Sequence, residues 1–190
     1  MMRMFTPSIL LRSALVALVL SAVPGWMIYD RMQLLEGGRE IVLKTEPIDP
    51  RDIFRGHYAR LGYEISAIPL TAMKAGERPK RGQSIYVAVR KGADGLWHFA
   101  GVAFASWPGR VPEDVVLLKG RVRHVWRKEI RVDYGIERYF APRQRALRIE
   151  RMGRGRRQPL GVILRVSPRG KAAIAGLRID GRTIYEEPLW

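Results

Sequence analysis

The stretch DPRDIFRGHYARLGYEIS, residues 49–66, passes from turn chemistry to a strand pattern within one short run. Asp49 is placed to cap a helical turn, Pro50 suits its first position, and Gly56 suits the left-handed residue that ends it. Beyond the glycine the run alternates. Ala59, Leu61, Tyr63 and Ile65 fall on one face, and Arg60, Gly62, Glu64 and Ser66 on the other. The spacing predicts a helical turn, a glycine exit and one half-buried strand that continues to residue 66.

Reading outward, REIVLKTE (39–46) is a first strand. SIYVAVRKGADGLWHFAGVAF (84–104) is a β-hairpin around residues 92–95, and SWPGRVPED (106–114) is turn-rich. The second part resembles the first. EDVVLLKGRVRHV (113–125) lies over residues 49–61 without a gap, so that Gly120 meets Gly56. GVILRVSPRGKAAIAGLRI (161–179) resembles the hairpin, with Gly170 and Gly176 six apart, as are Gly95 and Gly101. The fold class expected is mainly β. A barrel or sandwich is built from two weakly similar halves, about 46–105 and 110–180, packed as one domain.

Residues 13–29, SALVALVLSAVPGWMIY, carry no charge. With ILL at 9–11 they are long enough to cross a hydrocarbon core of about 30 Å, Arg12 snorkelling to the headgroups. Trp26 and Tyr29 stand where an aromatic belt would lie. A cleaved signal fits less well, because Leu20 and Pro24 flank the best small-residue site at Ala22. The expected layout is a cytoplasmic tail (1–8), a transmembrane signal anchor (9–29), a helical linker (30–40) and a β-domain (41–190) outside the cytoplasm. On this reading the protein crosses one membrane once, with its C-terminal domain outside the cytoplasm.

The chain has 34 Lys and Arg against 18 Asp and Glu, and only four of the basic residues lie in residues 1–40. The basic charge belongs to the β-domain and suits a polyanionic neighbour. Outside the cytoplasm that excludes nucleic acid as the main partner and leaves lipid headgroups, an envelope polymer or an acidic protein face. The absence of Cys excludes disulfides, thiolate chemistry and Cys-ligated metals. Residues 134–159 have no counterpart in the first half. Arg143, Arg145, Arg148, Arg151, Arg154, Arg156 and Arg157 crowd them, as a solvated loop or an anion-binding arm.

Three chemical sites are conceivable. Asp49 and Asp52 with His57 would make a base with its orienting carboxylate, or a hard-metal site. Capping accounts for the two aspartates more simply. His57, His98 and His124 lack the close spacing of a zinc motif. A Ser–Lys protease needs its nucleophile soon after the span, and no Ser lies between Ser21 and Ser66. Tyr63 belongs to the core face with Leu61 and Ile65, and Tyr58 could pack over Gly62. No catalytic residue, metal or cofactor is expected.

The stretch LKTEPIDPRDIFRGHYARLGYEIS, with LKGRV, DYGIERYF and the ending DGRTIYEEPLW, resembles the GDYXXLXY family of bacterial membrane-anchored proteins. Gly56, Tyr58, Leu61 and Tyr63 match the name-giving motif, and His57 stands where the family has Asp. With the anchor, the resemblance implies a single-pass protein of a bacterial inner membrane, its C-terminal domain in the periplasm, and a multi-spanning membrane partner; it names no chemistry. The expected function is therefore a non-catalytic accessory domain docking on a polytopic inner-membrane protein. The alternative is a binding module for anionic lipid or envelope polymer, with an unrecognised hydrolase as a distant third.

Overall fold

The structure, a computed structural model, describes residues 7–46, 58–73, 79–104, 107, 110–140, 160–179 and 181–186. One long helix, α1 (Pro7–Gly37), precedes a large sheet. β1 (Arg39–Glu46) coincides with the expected first strand. β5 (Ser84–Lys91) and β6 (Trp97–Phe104) form the expected hairpin. The mainly β class is thus the observed one.

Expectation and structure part at residues 49–66. The helical turn expected there (Asp49, Pro50, Asp52, Gly56, His57) lies outside the described residues, as does the Tyr58 side chain. The chain beyond it is not one strand. It divides into β2 (Tyr58–Arg60), β3 (Gly62–Tyr63), a 3-10 turn (Glu64–Ser66) and β4 (Ala67–Pro69). The reason is a change of partner. β2 pairs with β9 (Arg138–Phe140), β3 with the end of β1, and β4 with β8 (Glu129–Asp133). A straight strand cannot serve all three neighbours. The alternation survives the bend, with Leu61, Tyr63 and Ile65 buried and Glu64 exposed.

The pairings close a circuit. β1 meets β6 in parallel at Leu43–Trp97, and β6 pairs with β5. β5 pairs with β7 (Val115–Val125), β7 with β8 and β8 with β4. The 3-10 turn leads from β4 back to β3, which pairs with β1 through Thr45–Tyr63. β3 and β4 are joined by that turn and not by a ladder, so the chain itself completes the circuit. β10 (Gly161–Val166), β11 (Ala172–Ile179) and β12 (Arg182–Glu186) extend from the other stretch of β1. One core takes Ile41 and Leu43 from β1, Val87 from β5, Leu118 from β7, Val132 from β8, Leu164 from β10 and Leu177 from β11.

Two buried tyrosines tie this circuit together. Tyr63 Oη donates to the Ile136 carbonyl at 2.8 Å, and Tyr134 Oη donates to the Ile65 carbonyl at 2.7 Å. Each hydroxyl thus satisfies a backbone oxygen beside the other tyrosine. Glu137 holds the turn between them, its carboxylate accepting from the Tyr134 and Gly135 amides, while its own carbonyl accepts from Leu61 N–H. Burial, and secondarily the Glu137 carboxylate, push both phenols well above their ordinary range, so both remain donors.

Gly120 serves this knot too, in a way other than the turn-ending role that its alignment with Gly56 implies. It is not a left-handed glycine ending a turn. It lies within β7, where a Cβ would run into Val132 Cγ1 and stand 3.0 Å from the Tyr134 ring. The two hairpins share two local features. Gly95 and Gly170 both adopt positive φ, +78° and +81°. In both hairpins the alanine before the second glycine is a bulged extra residue, Ala100 before Gly101 and Ala175 before Gly176. Of residues 49–61, which align with β7, residues 49–57 lie outside the described residues. β2 is three residues long in a two-stranded ladder, whereas β7 is an eleven-residue strand of the main sheet.

Equilibrium unfolding of the full chain in detergent checks both features. Gly120→Val should overpack Val132 and Tyr134 and cost about 1–3 kcal/mol. An unchanged midpoint would contradict the close approach. Tyr63→Phe and Tyr134→Phe each orphan a buried carbonyl and should each cost about 1–3 kcal/mol. The double variant should depart from additivity, because the two bonds share one turn.

Candidate functional site

Two surfaces stand out, and neither is a catalytic cleft. The first is α1. It is the one helix among the described residues long and apolar enough to cross a bilayer, and nothing covers that part of it. Leu11, Leu15, Val19, Val23, Trp26 and Met27 are all exposed. A helix apolar all round does not face water unaided. The Trp26 and Tyr29 rings lie 6.2 Å apart at its domain end.

The segment expected to be a linker is the continuation of this helix, docked on the sheet. Leu34 and Leu35 are buried against Ala173 of β11. Asp30 pairs with Lys171, and the Arg31 guanidinium reaches the Ile174 carbonyl at 3.5 Å. Gly38 N–H donates to the Leu34 carbonyl at 3.0 Å, closing the helix. A Cβ on Gly38 would run into that same carbonyl and stand 3.0 Å from Val166 N, so only glycine lets β1 start here. The apolar helix and the sheet therefore join stiffly. Ala17, Ser21 and Gly25 recur every four residues along the uncovered part. Gly25 has nothing within 4 Å of where a Cβ would stand, so packing within the chain does not require it. Length and charge, which identify the span in the sequence, pass over this spacing.

The second surface is the tip of the β7–β8 hairpin. Val125 and Trp126 are the exposed large hydrophobic residues outside α1 among those described. Arg131 stacks over Trp126 at 5.7 Å. Arg121, Arg123, His124, Arg127 and Lys128 surround them, all exposed. Arg123 reaches Asp133 at 3.7 Å and Arg131 reaches Glu129 at 3.2 Å, which leaves the tip basic on balance. Here an aromatic and a run of cations combine in one short hairpin, a pattern hidden in the sequence by the strand that carries it.

The remaining candidates are described only in part. The arginine arm, residues 143–157, lies outside the described residues, as does His57. Among the described residues no group of three or more His, Asp or Glu is placed to hold a metal. His98 nevertheless has partners that spacing did not disclose. Its Nε2 lies 3.0 Å from Asp94 Oδ2, and its Nδ1 lies 3.5 Å from Glu64 Oε2. The ring packs over Gly92, where a Cβ would stand 2.8 Å from it. The hydrogen bond to Asp94 raises the His98 pKa and lowers that of Asp94. The cluster is a turn clasp on the surface.

Its pH dependence has a definite sign. A raised folded-state pKa makes the His98 contribution complete below the ordinary imidazole value of about 6.5 and lost as pH rises through the folded value. The Asp94 contribution is present above the ordinary carboxylate value of about 3.9 and lost as pH falls through the folded one. An NMR titration should place the His98 midpoint above the ordinary imidazole value of about 6.5, and Asp94→Asn should lower it. A midpoint in the parent protein that Asp94→Asn leaves unmoved would refute the clasp.

No curated protein and no solved structure matches this chain. A family does. The family described as GDYXXLXY protein matches residues 20–177, most of the chain, including the docked half of α1, both tyrosines of the knot and Gly120. This chain, an uncovered apolar helix locked to a closed β-circuit, belongs to the GDYXXLXY family.

Proposed function

We propose that the protein is a non-catalytic accessory domain, held in the bacterial inner membrane by α1 and docked on a multi-spanning membrane protein from the periplasmic side. The observation that carries this reading is the stiff joint between the uncovered apolar helix and the sheet. A passive tether tolerates any linker. A joint built from Leu34, Leu35, Asp30 and a required Gly38 fixes how the domain sits above the bilayer. Such an orientation matters when the partner is held in the same membrane plane. The Ala17, Ser21 and Gly25 spacing supports the same reading, because small residues four apart let two membrane helices approach closely. In water an interior Gly costs a helix about 1 kcal/mol relative to Ala, a cost that close helix contact can offset. The basic tip with Trp126 gives the domain a second surface for an acidic face of the partner.

The alternative keeps the anchor and assigns the basic surface to anionic lipid or envelope polymer. Docking is favoured because a fixed orientation and a small-residue helix face serve a protein neighbour better than a diffuse polymer.

Two measurements test the proposal. The chain has no Cys, so Lys128→Cys gives a unique label site. An impermeant maleimide should modify it in intact cells with a permeable outer membrane. Labelling only after lysis would reverse the topology. Ala17→Leu with Gly25→Leu should leave the protein membrane-embedded but strip away the membrane protein that co-purifies with the parent chain. Retention of that protein by the double variant would remove the helix contact, and recovery of no membrane protein by the parent would remove the accessory role.

A further inference from the structure

We infer that the β10–β11 turn, residues 167–171, is a second membrane contact that takes anionic phosphate headgroups through Arg169 and Arg31. The inference rests on the anchoring reading above. If Trp26 and Tyr29 mark the interface, Asp30 comes one residue later, a rise of about 1.5 Å. The headgroup layer is several ångströms thick on each side, about 5–8 Å. The Asp30 carboxylate therefore lies within it, and its ion pair brings Lys171 there as well.

The turn that carries Lys171 is rigid. Ser167 N–H donates to the Lys171 carbonyl at 2.9 Å, and Gly170 N–H donates to the Ser167 carbonyl at 2.9 Å. Lys171 N–H donates to Ser167 Oγ at 3.1 Å. The Gly170 carbonyl accepts from Lys119 N–H at 2.8 Å, which fixes the turn to β7. Gly170 itself could be nothing larger, with φ +81° and a Cβ position only 2.9 Å from Lys119 N. Pro168 and Arg169 are left exposed at its tip.

The charges there do not cancel. Asp30 is taken by Lys171. Arg31 is exposed and reaches a backbone carbonyl, and among the described residues neither it nor Arg169 has a carboxylate partner. Two guanidiniums with no carboxylate partner among the described residues thus stand at headgroup level. Arg suits phosphate because its planar fork can bind two oxygens at once. A basic residue at an anionic surface gains roughly fivefold in association, and two gain more.

The test uses the full chain in lipid nanodiscs containing phosphatidylcholine with about one third phosphatidylglycerol. The lack of Cys allows single spin labels at Leu20→Cys, Pro168→Cys and Trp126→Cys. Power-saturation depth measurements should put the Leu20 label in hydrocarbon, the Pro168 label at the phosphate level and the Trp126 label in water. Spin-labelled phosphatidylglycerol should associate with the label-free protein roughly fivefold or more over phosphatidylcholine. Raised salt, Arg169→Gln and the Arg31→Gln/Arg169→Gln pair should erode that preference in turn. A Pro168 label in water beside a buried Leu20 label would overturn the inference and leave the anchor standing. Equal association of the two lipids, or a preference untouched in the double variant, would also overturn it. A Leu20 label in water would remove the anchoring reading itself.

Discussion

Two phenol hydroxyls enclosed among apolar side chains must find acceptors, and the fold turns on where they find them. Tyr63 and Tyr134 exchange bonds, each to a carbonyl beside the other. Left unmade, each buried bond would cost more than its net worth when formed. The exchange fixes the register of β3 against the 134–137 turn, and β3 closes the circuit on β1. Gly120 supplies the space for the Tyr134 ring, and Glu137 holds the turn. Motifs that are far apart in sequence, LGY, LKG and DYGIE, are neighbours because of this one requirement.

The second constraint is the joint at Gly38. A sheet strand that begins directly after a helix leaves no slack, so the direction of α1 is set by the packing of Leu34 and Leu35 on Ala173. Charge then adds to packing through Asp30 and Lys171. The joint and the tyrosine knot share no residue, yet β1 connects them, starting at one and ending at the other.

Much of this was legible. The uncharged run, β1 and the β5–β6 hairpin come from period and composition, because each is a local pattern. The alternation of Leu61, Tyr63 and Ile65 was read correctly, although the strand was not, since a change of partners leaves side-chain alternation intact while bending the backbone. Gly120 misled because glycine has two uses, positive φ and close approach, and sequence does not separate them. The clasp around His98 was hidden for another reason: Glu64 joins it from a distant turn. The docking of the end of α1 could not be foreseen either, since the helical pattern of a linker over residues 30–40 does not say what Leu34 and Leu35 pack against.

The pairing of β1 sets the order of events during synthesis. Its long ladder is with β10, about 120 residues later in the chain, and Tyr63 waits for Ile136. Early strands therefore emerge apolar and unpaired while the helix before them is complete. Contacts of such range form slowly and leave strand edges open to wrong partners in the meantime. The β5–β6 hairpin, whose pairing is local, can form first and offer β1 its parallel neighbour. Maturation of this protein is thus a matter of keeping β1 unengaged until β10 has been made.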